Sequence, residues 1–215
     1  MSKRLRVYVE GATEEFFVNR ILKNHLAQSG VIVERPILAA TSIPSGQRGG
    51  FVNWAAVEAD LRIWTEREPF ASAVRHLAAY RGVTSLGALT LQAEVCDWRR
   101  FGRAASFMGF VGLVPREYSS GGSTHRGHIT KAGNAHLRAQ LVEAAWSYQH
   151  RPYVGPEIAK RHEGLAPEVV ARAWATQMRL CGRFRHLAAR KNTKSVVAAA
   201  IARELAGFLW AEMVA

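Results

Sequence analysis

The first third of the chain alternates short hydrophobic runs with amphipathic segments. The run "LRVYVEG" is rich in β-branched and aromatic residues and ends in glycine, so it predicts a strand followed by a turn. Thr13 is then placed to cap a helix whose apolar residues recur at helical spacing. "VIVERPIL" predicts a second strand, "TSIPSGQRGG" predicts a loop, and Asn53 is placed to cap a second helix. This order of elements is typical of the opening of an α/β unit.

Beyond Pro69 the pattern is mainly helical. The segment "FASAVRHLAAYRGVTSLGALTLQAEV" predicts two helices joined by a tight turn. In that turn Gly82 permits a left-handed backbone and Thr84 can cap the second helix. Two interpretations remain open: a helix-hairpin-helix that points backbone N–H groups at a phosphate, and an ordinary antiparallel helix pair.

Charge also divides the chain near Pro69. The 215 residues carry a formal net charge of +12. Residues 1–69 hold 9 Lys and Arg against 8 Asp and Glu, whereas residues 70–215 hold 20 against 9. Such an excess of positive charge favours a polyanionic partner. We therefore predict an α+β protein with two domains, a short α/β fragment over residues 1–69 and a mainly α-helical, nucleic-acid-binding domain over residues 70–215.

The cysteine content and the C-terminal segment exclude several protein classes. The two cysteines, Cys96 and Cys181, lack CxxC spacing, which excludes a disulfide scaffold or a zinc ribbon and agrees with a reducing cytoplasm. The most apolar stretch, residues 196–215, contains the charged residues Arg203 and Glu212, so it predicts a packed terminal helix rather than a membrane span. We expect a cytoplasmic protein without a membrane partner.

The segment "EYSSGGSTHRGHITKAGNAHLR" is the main candidate site, within a loop predicted over about residues 115–138. Its three histidines have the spacing H-x2-H-x7-H, and no cysteine lies near enough to complete a zinc site, so we predict no metal. No phosphate-binding P-loop pattern occurs either. What remains is a Ser-Ser-Gly-Gly turn among cations that can bind a phosphodiester and stabilise a developing phosphorane. These cations are Arg116, Arg126, Lys131 and Arg138.

Other basic residues follow two patterns. One is an interleaving of arginine with phenylalanine at residues 99–107, which suits nucleic-acid contact or equally a core. The other is a stripe along a helix predicted within the C-terminal helices at about residues 167–215, followed by the basic turn "ARKNTKS". Gly182 could interrupt that helix. The stripe consists of Arg172, Arg179, Arg183, His186 and Arg190. A solvated charged face is the alternative for this stripe. The nucleic-acid-binding candidates from both patterns are Arg99, Arg100, Arg103, Arg183, Arg190, Lys191 and Lys194.

The N-terminal segments "RVYVEGATEEFFVNRIL" and "RGGFVNWAAVEADLRIW" resemble the Toprim-like family called domain of unknown function 4276. The resemblance implies that a glutamate at the position of Glu10 works with an Asp-x-Asp pair to hold Mg²⁺ against phosphodiesters. The only aspartates of this chain, Asp60 and Asp97, form no such pair. We therefore expect a truncated Toprim-like fragment in which Glu10 is vestigial and caps the following turn.

Three segments of the second part resemble the C-terminal transposase domain of the insertion-sequence 110/116/902 family. They are "RHLAAYRGVTSLGALTLQAEV", "FGRAASFMGFVGLVPREYSSGGSTHRGHITKAGNAHLRAQLVEAAW" and "ARKNTKSVVAAAIARELAGFLWAEM". The first resembles the family's helix-hairpin-helix, here at about residues 74–95, although Arg81 and Thr84 replace the family's proline and second glycine. In the family a serine just before a glycine attacks the DNA phosphodiester. The resemblance implies Ser120 for this role, with Ser119 as second candidate.

The resemblance further implies a DNA recombinase of an insertion element that is guided by a structured RNA. Its partners would be DNA, a guide RNA, and a second copy of the chain or a full-length transposase. We expect a truncated or fused remnant without the family's acidic ribonuclease-H-like domain, so that stand-alone activity is absent and Mg²⁺ is needed only with a complementing acidic domain. The alternatives are a non-catalytic nucleic-acid-binding module and a Toprim-type Mg²⁺-dependent nuclease.

Overall fold

The computed structural model describes residues 3–5, 7–9, 12–27, 31–34, 37–38, 54–120, 123–190 and 193–215. The description is of the backbone alone at residues 3–4, 8–9, 12–14, 25, 37–38, 54–57, 60, 117–120 and 123–126. The chain divides into two compact units, Met1–Leu61 and Arg62–Ala215. This division lies eight residues before Pro69, and the two predicted domain assignments stay predictions.

The first unit pairs strands in parallel. Its elements are β1 (Lys3–Leu5), β2 (Tyr8–Val9), α1 (Ala12–Phe17), a π-helical segment (Val18–Leu22), α2 (Lys23–Ala27), β3 (Val31–Val33), β4 (Ile37–Leu38) and the start of α3 (Trp54–Thr65). Strand β1 pairs with β3 and β2 with β4, and Val18 and Val33 form a small buried core. The predicted cap at Thr13 is wrong, because α1 already begins at Ala12. Glu10 and Asn53 lie outside the described residues.

The second unit is mostly helical, with one antiparallel hairpin. Beyond α3 its elements are α4 (Ala71–Ala78), α5 (Ser85–Val95), a 3-10 turn (Trp98–Arg100), α6 (Ala104–Phe110), β5 (Pro115–Ser120), β6 (Ser123–Ile129), α7 (Ala135–Trp146), a 3-10 turn (Ser147–Gln149), α8 (Pro156–His162), α9 (Pro167–Arg190) and α10 (Lys194–Val214). The combination of helices with a small hairpin agrees with the predicted α+β class.

Helix α10 forms the centre of the second unit. It is apolar on most of its surface and packs against α4, α6, α7 and α9. A helix that is hydrophobic all round is suited to such a central position. Its fully buried positions include Ile201, Leu205 and Leu209. No helix in the described part of the chain is both long and apolar enough to cross a membrane.

Helices α4 and α5 form the predicted pair. Gly82 has φ +83°, and the Thr84 hydroxyl accepts a hydrogen bond from the Gly87 N–H at 3.0 Å. Both local expectations are therefore confirmed. A Cβ added at Gly82 would lie 2.3 Å from the Ala144 carbonyl oxygen, so the turn packs directly against the end of α7. Whether the turn also binds a phosphate stays a prediction.

Helix α9 is continuous through Gly182. It runs from Pro167 to Arg190 without a break, so the expected interruption is wrong. An isolated glycine costs a helix only about 1 kcal/mol relative to alanine. The packing of α9 against α10 outweighs that cost.

Candidate nucleic-acid interface

The segment predicted as a serine loop is a β-hairpin. Strands β5 and β6 are antiparallel, with Ser119 opposite Thr124 and Ser120 opposite Ser123. Gly121 and Gly122, which connect the strands, lie outside the described residues. The sequence interpretation anticipated a turn here but missed the strands on either side. A Gly-Gly pair between two runs containing tyrosine, threonine or isoleucine is the signal that could have indicated a hairpin.

The hairpin begins with an irregularity that sets the position of Arg116. The strand register shifts between Pro115 and Glu117, as in a β-bulge. Bulges commonly redirect a side chain at the end of a sheet. The Arg116 guanidinium donates a hydrogen bond to the Thr130 carbonyl at 3.3 Å, and its side chain remains exposed. Arg116 therefore lies at the base of the hairpin, close to the start of the chain segment that follows β6.

An open groove of about 1130 Å³ lies between the base of the hairpin and the first half of α10. We call it the basic groove. It contains three permanent cations from three separate segments and, among its lining residues, no carboxylate. Its lining residues are Leu113, Pro115, Arg116, Gly127, His128, Ile129, Lys131, Thr193, Ser195, Val196, Ala199, Ala200 and Arg203. Two sequence-predicted candidates, Arg116 and Lys131, are thus brought together with Arg203, which the sequence interpretation missed.

Lys131 enters the groove from an unusual backbone conformation. Its φ is +54°, in the left-handed region that costs a non-glycine residue about 1–2 kcal/mol. The Lys131 N–H donates to the Gly112 carbonyl at 3.2 Å. Two glycines beside it, Gly112 and Gly133, also have positive φ. A Cβ at Gly133 would lie 2.1 Å from the Phe110 carbonyl oxygen, so close backbone packing fixes this segment.

The residues just after Lys131 hold α7 in place. Asn134 caps α7 by accepting from the Leu137 N–H at 3.0 Å. Its amide also donates to the carboxylate of Glu94, which contacts the His136 ring as well. The half-buried Arg138 guanidinium donates to the Val111 carbonyl at 3.1 Å. His136 and Arg138 therefore have partners inside the protein, and neither lines the basic groove.

Two of the three histidines in the segment have different surroundings. His136 contacts Glu94, whereas His128 lines the basic groove. The side chain of His125 is outside the description. Among the side chains that are described, no group of three His, Cys, Asp or Glu residues could hold a metal ion.

The phenylalanines interleaved with arginine belong to the hydrophobic core. Phe101 and Phe107 are buried, with ring centroids 5.3 Å apart. The Arg100 guanidinium lies 4.7 Å from the ring centroids of both Phe101 and Phe110, a cation–π arrangement. Of the two interpretations of this pattern, the structure favours the core for the aromatic rings. Arg99 and Arg103 remain exposed on the surface.

Much of the arginine stripe on α9 is neutralised by α10. Arg179 and Arg183 approach the Glu204 carboxylate at 3.4 and 3.0 Å. Arg172 forms two hydrogen bonds to Glu212. Arg190 is exposed at the end of α9, and Lys194 is exposed at the start of α10. Lys191 lies outside the described residues.

Glu212 is the centre of a buried polar cluster that joins three helices. Its side chain is fully buried and accepts from Arg172 of α9 at 2.6 and 2.8 Å and from the hydroxyl of Tyr80, which follows α4, at 2.9 Å. The His76 ring lies 3.0 Å from the same carboxylate. Burial alone would raise the pKa of Glu212, but the hydrogen bonds from Arg172, Tyr80 and His76 outweigh it and lower that pKa. Burial, with the Glu212 charge, raises the pKa of Tyr80.

For the remaining site candidates the structure describes either the backbone position alone or nothing. Ser119 and Ser120 lie at the end of β5, and Arg126 lies opposite Glu117 in β6. The side chains of these residues are outside the description, as is the whole of Glu10. Their functional roles stay predictions.

The comparisons with known proteins bear on the segment that contains the helix pair and the hairpin. Residues 74–162 match the model of the "Transposase IS116/IS110/IS902 family". The match includes α5, the hairpin and α7, but it ends before α9 and α10.

Several relatives of the chain are described as transposases. A putative transposase, y4qE, of Sinorhizobium fredii is 46% identical over 141 residues, which are 66% of this chain and 36% of that protein. A probable family 20 transposase of Pseudomonas aeruginosa is 28% identical over 138 residues, 64% of this chain and 34% of that protein. The transposase for insertion sequence element IS1111A of Coxiella burnetii is 42% identical over 64 residues, 30% of this chain and 18% of that protein. The chain spans about a third of the length of the first two.

Proposed function

We propose that the second unit is a DNA-binding transposase domain in which Ser120 attacks a DNA phosphodiester. The observation that carries the proposal is the basic groove, because it joins three cations without a carboxylate at the base of the hairpin whose far end bears Ser119 and Ser120. The transposase family domain at residues 74–162 supports the same function.

The composition of the groove favours contact with the sugar–phosphate backbone. Arg116, Lys131 and Arg203 can each pair with a phosphate. Its other lining residues are mostly small or aliphatic, such as Ala199 and Ile129, and no Phe, Tyr or Trp lines it. Base stacking on aromatic rings is the usual mode for single strands. The groove is therefore better suited to hold the backbone of a duplex.

The proposed reaction is a nucleophilic substitution at phosphorus. The Ser120 hydroxyl oxygen forms a bond to the phosphorus as the bond from phosphorus to a deoxyribose oxygen breaks. The hydroxyl proton is released to water, and the leaving oxygen takes up a proton from water. Nearby cations would stabilise the negative charge of the pentavalent intermediate, and Arg126, which lies in β6 of the same hairpin, is our candidate for that role.

We propose that any Mg²⁺ needed for the reaction is bound by a complementing domain. The described residues include no group that could hold a metal ion. When bound by an acidic ribonuclease-H-like domain, Mg²⁺ would polarise the phosphate oxygens. We therefore expect the chain alone to show little or no strand cleavage.

An adduct-trapping assay tests the nucleophile. The chain is mixed with a ribonuclease-H-like domain from a transposase and with nicked DNA, and covalent protein–DNA species are counted on a denaturing gel. Ser120→Ala should abolish the adduct, while Ser119→Ala should leave most of it. DNA binding should survive both changes, because it rests on the cations rather than on one hydroxyl. An adduct that persists in Ser120→Ala refutes this assignment.

The second candidate is a non-catalytic nucleic-acid-binding module. It is supported by the basic groove alone, because the groove cations can bind a phosphate backbone whether or not Ser120 reacts. This function predicts salt-sensitive DNA binding with no adduct under any complementation. A guide RNA, self-association or association with a full-length transposase, and a cytoplasmic location complete the proposal for either candidate.

The first unit is proposed to be a Toprim-like fragment. Its parallel strand pairs on either side of a helix support an α/β origin. A Toprim-type nuclease would require Mg²⁺-dependent cleavage that is lost in Glu10→Gln. We expect no such activity, because the sequence contains no Asp-x-Asp pair.

A further inference from the structure

Arg203 is a groove cation that lies outside the segment matched by the transposase family model. It projects from α10 into the basic groove and is exposed. Among the side chains that the structure describes, none forms a hydrogen bond or ion pair with Arg203. Its guanidinium is therefore available to a ligand, unlike the α9 cations Arg179 and Arg183.

The carboxylate nearest to Arg203 in sequence is held elsewhere. Glu204 follows it on α10 but pairs with Arg179 and Arg183 across the α9–α10 interface. Successive residues on a helix are about 100° apart, so the two side chains belong to different faces of α10. Helix α10 therefore presents the positive charge of Arg203 to the groove, while the negative charge of Glu204 faces the arginines of α9.

Lys131 provides the second free cation of the groove. Its left-handed backbone is held by close packing of Gly112 and Gly133 against neighbouring carbonyl groups. Strained backbone that is retained in a structure is often associated with a binding site. The groove is also lined by Thr193, the N-cap residue of α10, and by Ser195 of its first turn, where the helix dipole favours an anion.

We propose that Lys131 and Arg203 each anchor a backbone phosphate of bound DNA and that neither of these is the phosphate attacked by Ser120. This inference rests on the proposed function. Arg116 lines the groove, whereas Ser120 lies four residues further along β5. At about 3.3 Å per strand residue, the separation along β5 is roughly 13 Å. One strand of a duplex advances about 3.4 Å per nucleotide, so a separation of this size spans more than one phosphate.

The first experiment measures the salt dependence of DNA affinity for the full chain. Binding to a short labelled DNA duplex is followed by fluorescence anisotropy across a salt series. Arg203→Gln and Lys131→Gln should each weaken binding several-fold and lower the slope of log K against log salt by about 0.9, as for one lost phosphate contact. The matched control is Arg185→Gln, an exposed arginine of α9 outside the groove, which should leave the slope unchanged.

A second variant separates the ligand role of Lys131 from a structural one. Lys131→Gly removes the ammonium but permits the left-handed backbone without strain. It should bind DNA as weakly as Lys131→Gln and unfold at a higher temperature than the wild type. If Lys131→Gly binds DNA as tightly as the wild type, the anchor is refuted.

The outcomes distinguish this inference from the proposed function. If the wild type shows no salt-dependent DNA binding, the proposed function fails. If the wild type binds DNA but Arg203→Gln and Lys131→Gln keep its salt slope, only the anchor fails. An effect of the two substitutions confined to double-stranded RNA of the same sequence also contradicts a DNA anchor.

The adduct assay tests whether the anchored phosphate is separate from the attacked one. With the complementing domain present, Arg203→Gln should form the adduct more slowly than the wild type when DNA is limiting. When DNA is saturating, the two rates should be equal. Ser120→Ala should not be restored at any DNA concentration. A rate that stays low in Arg203→Gln at saturating DNA would assign Arg203 to the attacked phosphate and contradict a separate anchor.

Discussion

The two sides of α10 use arginine in opposite ways. On the side that packs against α9, Arg172, Arg179 and Arg183 are paired with Glu212 and Glu204. On the side that faces the hairpin, the cations of the basic groove have no carboxylate among their lining neighbours. The three arginines on the first side already have carboxylate partners, whereas the groove cations can bind a ligand. The pairing of charges, rather than their number, therefore indicates where a polyanion can bind.

The largest expected change in stability comes from removing the carboxylate of Glu212, on the side of α10 where charges are paired. Glu212→Gln removes the charge that joins α4, α9 and α10, and we expect it to lower the free energy of unfolding by about 3 kcal/mol. Urea unfolding at neutral pH measures the change. The matched control is Glu204→Gln, whose partners are largely exposed, for which we expect about 1 kcal/mol or less. Equal losses in the two variants would contradict a special role for the buried cluster.

Acid should weaken the same cluster. The folded state lowers the pKa of Glu212, so the stability that this carboxylate contributes is fully present above its unfolded pKa of about 4.3. It is lost as the pH falls through the lower folded pKa. The difference in unfolding free energy between the wild type and Glu212→Gln should therefore shrink in acid. Urea titrations from neutral pH to below pH 4 measure this difference. If the difference in unfolding free energy grows as the pH falls, the expected effect of the lowered Glu212 pKa is contradicted.

The groove side should respond through affinity rather than stability. Arg116→Gln removes one exposed groove cation and should weaken DNA binding about tenfold, which corresponds to about 1.4 kcal/mol. Arg183→Gln removes an arginine already paired with Glu204 and should change affinity by less than about twofold. Anisotropy titrations on the same duplex compare the two. A larger loss in Arg183→Gln would mean that the α9 stripe binds DNA, as one sequence interpretation held.

The smallest expected effect is an increase in DNA affinity. Glu204→Gln releases Arg179 and Arg183 from their carboxylate, and we expect DNA affinity to rise by about twofold as these cations become available. Glu168→Gln removes one negative charge from the exposed start of α9 without releasing an arginine, and serves as the control for net charge. An equal gain in both variants would show that net charge, not release of the arginines, is responsible.

Local features of this fold were predictable from the sequence, and features that depend on distant partners were not. Thr84 and Gly82 were predicted correctly because capping and left-handed turns depend on neighbouring residues. The hairpin was missed because "PREYSS" and "STHRGHI" lack an alternating hydrophobic pattern. Arg203 could not be distinguished from other arginines without knowing that α10 lies beside the hairpin. For the same reason the pairing of the α9 stripe with Glu204 and Glu212 was not foreseen.

The central comparison is tested most directly by two triple variants that lose the same charge. One variant removes the groove cations Arg116, Lys131 and Arg203, and the other removes Arg179, Arg183 and Arg185 from α9, each by substitution with glutamine. The measurement is the slope of log K against log salt for binding to one DNA duplex. The groove variant should lower the slope by about 2.7, while the α9 variant should leave it close to the wild-type value. Equal reductions in the two variants would contradict the assignment of DNA binding to the basic groove.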